Sequence, residues 1–177
     1  MRIVAGKFAG RKLVSPQGSR VRPTAEHVRS AMLDMLHADV PRARILDLFA
    51  GTGALGLEAI SRGALWTDFV EFRPDSLHSL KANIAALHLL KNTRVFKRDA
   101  LRFAASLSDD AYDIAFCDPP YGSKILDRVI DTWKEKRFSK ILAVEHTTDH
   151  VIPPGDSHRD FEDTTVTIYR RLPSASS

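Results

Sequence analysis

A single cysteine, Cys117, occurs in 177 residues. That excludes an intramolecular disulfide framework and fits a reducing compartment. No apolar run approaches the ~20 residues needed to cross a bilayer. The leading stretch, MRIVAGKFAGRKL, also lacks the long apolar segment of a secretory signal. A cytoplasmic location without a membrane partner is therefore expected. Internal repeats are absent, and the one low-complexity piece is the Pro-Ser-Ala-Ser-Ser tail. The seven histidines show no metal-ligand spacing. His146 and His150 are four apart, a spacing that only a helix would bring together, and Thr147-Thr148-Asp149 argues against a helix there. No metal is expected, and with no apolar surface stripe in view the expected state is a monomer.

What is present is the composition of a globular protein, 44% hydrophobic and 27% charged, enough for one α/β domain with a small appendage. The net charge of +4 is unevenly spread. Residues 1–29 hold Arg2, Lys7, Arg11, Lys12, Arg20, Arg22 and Arg29 against Glu26 alone, an excess of six positive charges, so the remaining residues sum to −2. A basic end on a slightly acidic body is what a polyanion-binding appendage looks like, although a solvated tail has the same composition.

Two short β-like pieces, residues 2–4 and 11–14, flank Gly6 and Gly10 and read as a small hairpin. Residues 15–23 are loop-like, and Thr24 is a candidate N-cap for a helix reaching about His37. From Arg44 onward strands alternate with helices. Strands are expected at 45–49, 67–72, 94–97, 112–117 and 141–145. Helices are expected at 54–62, from Pro74, and around 125–133, and an antiparallel hairpin closes the chain at Phe161 and 166–171. This pattern implies a doubly wound, seven-stranded, mostly parallel sheet with right-handed crossovers. The division expected is a basic hairpin and loop over 1–23 and an α/β domain over 24–177.

Ligands of such sheets bind beyond the carboxyl ends of the strands. Asp47, Glu71, Asp99 and Asp118 stand at four successive strand ends, which places four acids on one rim. The first turn, Gly51-Thr52-Gly53-Ala54-Leu55-Gly56, is a G-x-G-x-x-G between strand and helix. Gly51 permits the tight turn, Gly53 permits close approach of a ligand to the backbone, and Glu71 lies where a carboxylate can hold ribose hydroxyls. A dinucleotide would need the helix N-terminus free for two phosphates. Asp47 beside that turn suits the amino group and sulfonium of S-adenosylmethionine better, and Asp99 can accept from the adenine amine.

The segment Phe116-Cys117-Asp118-Pro119-Pro120-Tyr121 ends a buried strand on an acid and then stiffens the chain. An exocyclic base amine is a poor nucleophile because its lone pair is delocalised into the ring. Two acceptors on its hydrogens draw the nitrogen towards tetrahedral geometry. Asp118 supplies one acceptor and the Pro119 carbonyl, aimed by a fixed φ, supplies the other. Tyr121 offers a face for an extruded base. Cys117 packs in the core, as do Trp66 and Trp133, and Asp109-Asp110 is a loop charge pair.

Taken together, Asp47-Leu-Phe-Ala-Gly-Thr-Gly-Ala-Leu-Gly-Leu-Glu58 and Asp118-Pro-Pro-Tyr121 resemble the class I S-adenosylmethionine-dependent amino-methyltransferases. Met1-Arg-Ile-Val-Ala-Gly6, Gly10-Arg-Lys-Leu13 and Arg22-Pro-Thr24 resemble the RsmD-type bacterial 16S rRNA guanine-N2 methyltransferases, in order and along nearly the whole chain. The resemblance implies S-adenosylmethionine as donor and a guanine of small-subunit rRNA, within the 30S particle or its precursor, as acceptor. It implies catalysis by Asp118, Pro119, Pro120 and Tyr121, and donor contacts at Asp47, Phe49, Gly51, Gly53, Glu71, Asp99 and Ala100. Arg2, Lys7, Arg11, Lys12 and Arg22 are the residues expected to grip RNA. Other readings are a methyltransferase acting on another RNA or DNA base, a non-catalytic RNA-binding module, and a nicotinamide oxidoreductase. The last is disfavoured by Asp47.

Overall fold

The computed structural model describes residues 1–16, 23–120 and 124–171. Helix α1 (Pro23–Met35) precedes β1 (Arg44–Leu48), α2 (Ala54–Ser61), β2 (Trp66–Val70), α3 (Pro74–Ala86) and β3 (Thr93–Phe96). There follow α4 (Ala100–Ala105), β4 (Tyr112–Cys117), α5 (Ile125–Lys136), β5 (Ser139–Thr147), β6 (Ser157–Asp160) and β7 (Thr164–Arg170). The strands form one seven-stranded sheet in the order β3-β2-β1-β4-β5-β7-β6. β1 to β5 are parallel, while β7 runs antiparallel to both of its neighbours. Strand order reverses between β1 and β4, and a crevice opens at the carboxyl ends of that pair.

The short apolar runs form strands because helices cover both faces, and strands buried on both sides can be apolar throughout. On one face α1, α2 and α3 press Met32, Leu57, Leu80 and Ile84 onto Ile45, Phe69 and Phe116. On the other, α4 and α5 press Phe103, Val129, Ile130 and Trp133 onto Leu46, Leu48 and Val144. Among the described residues no helix is long and apolar enough to cross a membrane.

Three elements depart from the sequence expectation. The hairpin over 2–4 and 11–14 is replaced by a single antiparallel bridge, Arg2 to Lys12. The limbs still exchange backbone bonds, Ile3 N to the Arg11 carbonyl and Gly10 N to the Ile3 carbonyl, and the chain between them also bonds to the end of α2. Lys7 N donates to the Ser61 carbonyl, Phe8 N donates to Ser61 Oγ, and that hydroxyl donates to the Ala5 carbonyl. Ile3 and Leu13 are buried in the same core as α1 to α3, so the segment packs as part of the domain. α1 opens at Pro23, one residue before the expected cap Thr24, where proline is suited to a first helical turn. α4, six residues long, is too short for a periodic signal. The antiparallel pair at the end is β6 and β7, with Phe161 N bonding the Thr164 carbonyl across the turn.

Candidate active site

The crevice at the β1/β4 switch holds a cavity of about 510 Å³, within the ~300–1,000 Å³ usual for small-molecule sites. Asp47 leaves β1 on the α2 side, where its Oδ2 accepts the Gly56 amide at 3.0 Å. Burial pushes the carboxyl up to about 7; the Gly56 hydrogen bond opposes the rise and the charge of Glu71 adds to it. The turn that follows contains three left-handed residues in five, Phe49, Gly51 and Gly53. A side chain at Gly51 would meet nothing nearer than the Phe49 carbonyl oxygen at 4.0 Å, whereas one at Gly53 would strike Leu80 Cδ1 at 2.3 Å. Gly51 is therefore the open wall of the cavity, and Gly53 lets the turn seat against α3. Phe49 and Gly51 line the cavity and Gly53 lies behind it.

Glu71, at the end of β2, accepts from the amides of Gly51, Phe72 and Arg73, each at 2.8 Å. These three bonds occupy most of a carboxylate's roughly four lone-pair directions. They tie the glycine turn to β2 and leave about one direction for a ligand. Asp99 caps α4, accepting Arg102 N at 2.9 Å, and lines the cavity together with Ala100. Asp118 faces the cavity with Pro119 and Pro120. Protein surrounds its carboxyl although the cavity leaves it reachable, and desolvation, followed by the charges of Glu145 and Asp47, raises its pKa well above the carboxylate range.

The structure therefore brings Asp47, Phe49, Gly51, Glu71, Asp99, Ala100 and Asp118 to Pro120 around one cavity. Tyr121 and Arg22 lie outside the described residues. Arg2, Lys7, Arg11 and Lys12 are all exposed on the N-terminal segment. Arg11 also donates to the Ala86 carbonyl at the end of α3 (3.1 Å).

Several lining residues escaped the sequence reading. Glu145 ends the fifth strand run, so the rule that gave four rim acids would have given a fifth. Arg29 and Met32 enter from α1; Arg29 gave no signal, since it is a charge within an apolar helix face. It is buried through its bond to Glu58 (2.7 Å) and a second to the Arg2 carbonyl (2.6 Å). His146 and His150, expected apart, have ring centroids 6.3 Å from each other. The turn after β5, closed by His150 N on the Thr147 carbonyl, brings them together without a helix. His150 also meets the Asp127 carboxylate of α5 at 3.3 Å.

Residues 1–167 match a protein family described as "Conserved hypothetical protein 95". "Ribosomal RNA small subunit methyltransferase D" of Escherichia coli K12 is 33% identical over 156 residues, 86% of this chain and 78% of that one. The chain belongs to the RsmD family of class I S-adenosylmethionine-dependent methyltransferases. A solved structure of a hypothetical protein from Thermus thermophilus superposes with a TM-score of 0.82 at 29% identity, covering 97% of this chain and 99% of that one. An RNA methyltransferase from Salinibacter ruber, solved with S-adenosyl-L-homocysteine, shares the fold with a TM-score of 0.67 at 17% identity, over 87% and 98% of the two chains.

The residues present fit the methyl donor of this family. Asp47, Glu71 and Asp99 would repel the phosphates of a dinucleotide and attract an amino group, a sulfonium and ribose hydroxyls. Gly51 leaves open wall where the ligand would approach the backbone, and Val70, Phe49 and Ala100 supply apolar lining.

Proposed function

We propose that this protein transfers a methyl group from S-adenosylmethionine to the exocyclic N2 amine of a guanine in 16S rRNA, on the 30S subunit or its precursor. The observation that carries the reading is the position of Asp118 and Pro119 at the switch point, facing the same cavity as Asp47. When bound, the donor supplies an electrophilic methyl group on a positively charged sulfonium. Asp47 would hold its cationic end, Glu71 its ribose and Asp99 its adenine amine. Phe49, Gly51 and Ala100 would shape the walls, and Gly53 would fix the turn behind them.

The Asp118 carboxylate and the Pro119 carbonyl accept the two amine hydrogens and direct the nitrogen lone pair at the methyl carbon. Pro120 keeps the pair aimed, and Tyr121 stacks on the base. Such positioning can supply on the order of 7–11 kcal/mol of the barrier. As the new N–C bond formed, the S–C bond of the sulfonium would break with its electron pair going to sulfur, leaving neutral S-adenosylhomocysteine, and the now cationic amine would release a proton. In this reading residues 1–23 form the RNA-gripping part, through Arg2, Lys7, Arg11, Lys12 and Arg22, and residues 24–177 form the catalytic domain of a cytoplasmic monomer.

The test is transfer from labelled S-adenosylmethionine to 30S particles lacking the modification, followed by nucleoside analysis, with Asp118→Ala in parallel. Label is expected in N2-methylguanosine. The variant is expected to lose transfer by at least ~100-fold while binding the donor normally. Label in a different nucleoside, or none with donor binding intact, would refute the acceptor assignment.

A further inference from the structure

We infer that Arg29 binds the carboxylate at the amino-acid end of the methyl donor, assisted by the first amides of α2. This inference deepens the donor assignment above and rests on it, and it does not depend on which base accepts the methyl group.

The chemistry of the donor sets the requirement. S-adenosylmethionine carries a carboxylate on the same carbon as its amino group. With the amino group at Asp47, the carboxylate must also lie at the β1 end of the cavity. An anion enclosed there needs hydrogen-bond donors. Among the described residues, Arg29, Arg73 and Arg98 are the cationic side chains on the cavity wall. Arg73 and Arg98 are exposed and follow β2 and β3, at the end assigned to ribose and adenine. The amino group of Met1, a further lining residue, lies 3.9 Å from the Glu26 carboxylate. Arg29 is only 6% exposed, and it comes from α1 on the face of the sheet that also carries α2.

The guanidinium is held from two sides. Its Nε donates to Glu58 Oε2 of α2 at 2.7 Å, and its Nη2 donates to the Arg2 carbonyl at 2.6 Å. Two such bonds fix the plane of the group. Nη1 keeps both of its hydrogens, since it has no partner among the described residues, and these remain for a ligand in the cavity. Glu58 also receives Arg62 at 2.9 Å, so its charge is divided between two guanidiniums. α2 adds donors of its own. No side chain caps its start at Gly53. The Gly56 amide is taken by Asp47 and the Leu57 amide by the Gly53 carbonyl. The amides of Ala54 and Leu55, both residues of the cavity wall, have no partner among the described residues. A carboxylate between a guanidinium and a helix N-terminus gains charge-assisted hydrogen bonds and the favourable end of the helix dipole.

Calorimetric titration of the full chain compares S-adenosylmethionine with its decarboxylated analogue, which keeps the amino group, the sulfonium and the adenosine. The wild type should bind the carboxylated donor at least about tenfold more tightly. Arg29→Met should bring that ratio towards one by weakening S-adenosylmethionine, while the analogue binds nearly as before. Arg29→Lys keeps the charge without the planar fork, so its ratio should fall between the two. Thermal unfolding is recorded for each variant, because Arg29 also holds Glu58. If Arg29→Met does not fold, Arg29→Lys and the wild-type ratio decide. A merely structural Arg29 would weaken both ligands alike and leave the ratio unchanged, which overturns the proposal. Equal wild-type affinities for the two ligands overturn it as well. A wild type that binds neither ligand refutes the donor assignment, and this inference with it, whereas an unchanged ratio in the variants refutes this inference alone.

Discussion

Asp47 carries a carboxylate where little water reaches it, only 3% exposed, and this makes a thermodynamic demand on the ligand-free protein. Its folded pKa is about 7 against an ordinary 3.8. Between those values the folded state holds a proton that the unfolded chain releases. The group thus favours folding least above pH 7, and its penalty vanishes as the pH falls towards 4. Asp47→Asn keeps an acceptor for the Gly56 amide and removes the charge. In urea unfolding the variant should gain on the order of 2–4 kcal/mol at pH 8, with the gain shrinking to near zero at pH 4. A pH-independent difference would contradict this account. Under the proposed function the same substitution should weaken donor binding at pH 8, since the lost charge would face the cationic end of the donor. The sequence located this residue through a strand followed by a glycine turn. It could not show that the Gly56 amide would be its partner, because that contact depends on how α2 seats against β1.

At the scale of elements, α1 and α2 are joined by a buried ionic cluster. Glu58, fully buried, receives Arg29 at 2.7 Å and Arg62 at 2.9 Å. Arg62 in turn reaches Ser30 Oγ at 3.0 Å. Removing one cation leaves a buried acid partly compensated, and breaking such a pair costs about 3–5 kcal/mol. With Arg62 still in place, Arg29→Met should cost about 3 kcal/mol in chemical denaturation. Adding Glu58→Gln should recover part of that loss, because the uncompensated charge goes with it. A loss below about 1 kcal/mol in the single variant would mean that Arg62 alone satisfies Glu58. Elements with a run of their own were legible in the sequence: β1, β4 and α3 fall within about two residues of expectation, with β4 matching at both ends. Elements defined by contacts with distant chain were not. The N-terminal limbs pair only through a single bridge and are also anchored on Ser61, and α4 depends on a cap at Asp99 and on packing of Phe103 against Phe96 (ring centroids 4.8 Å apart). The pairing of Arg29 with Glu58 links residues 29 positions apart, beyond any local pattern.

At the scale of the whole molecule, the charge asymmetry acquires a geometry. The basic N-terminal segment is fastened to the glycine turn through one side chain of α3. Asn83 accepts Val14 N at 2.7 Å and donates to the carbonyls of Val14 and Thr52, each at 3.0 Å. Arg29 links the same segment, through the Arg2 carbonyl, to the wall of the cavity. The basic segment is thereby tied to a wall of the cavity, and under the proposed function RNA docking and base placement would share one frame. Lys7 and Lys12 make the cleanest test, since both are exposed and Arg11 doubles as a partner for α3. Each phosphate neutralised contributes about 0.7–0.9 to the slope of log affinity against log salt. Replacing both lysines by glutamate should weaken binding to the 30S substrate and lower the magnitude of that slope by about 1.4–1.8, while donor affinity, set at the other end of the frame, stays the same. An unchanged slope would mean that the excess of positive charge serves only to keep this end of the chain in water. The acceptor would then have to be held by the surface around Asp118 and Glu145 alone.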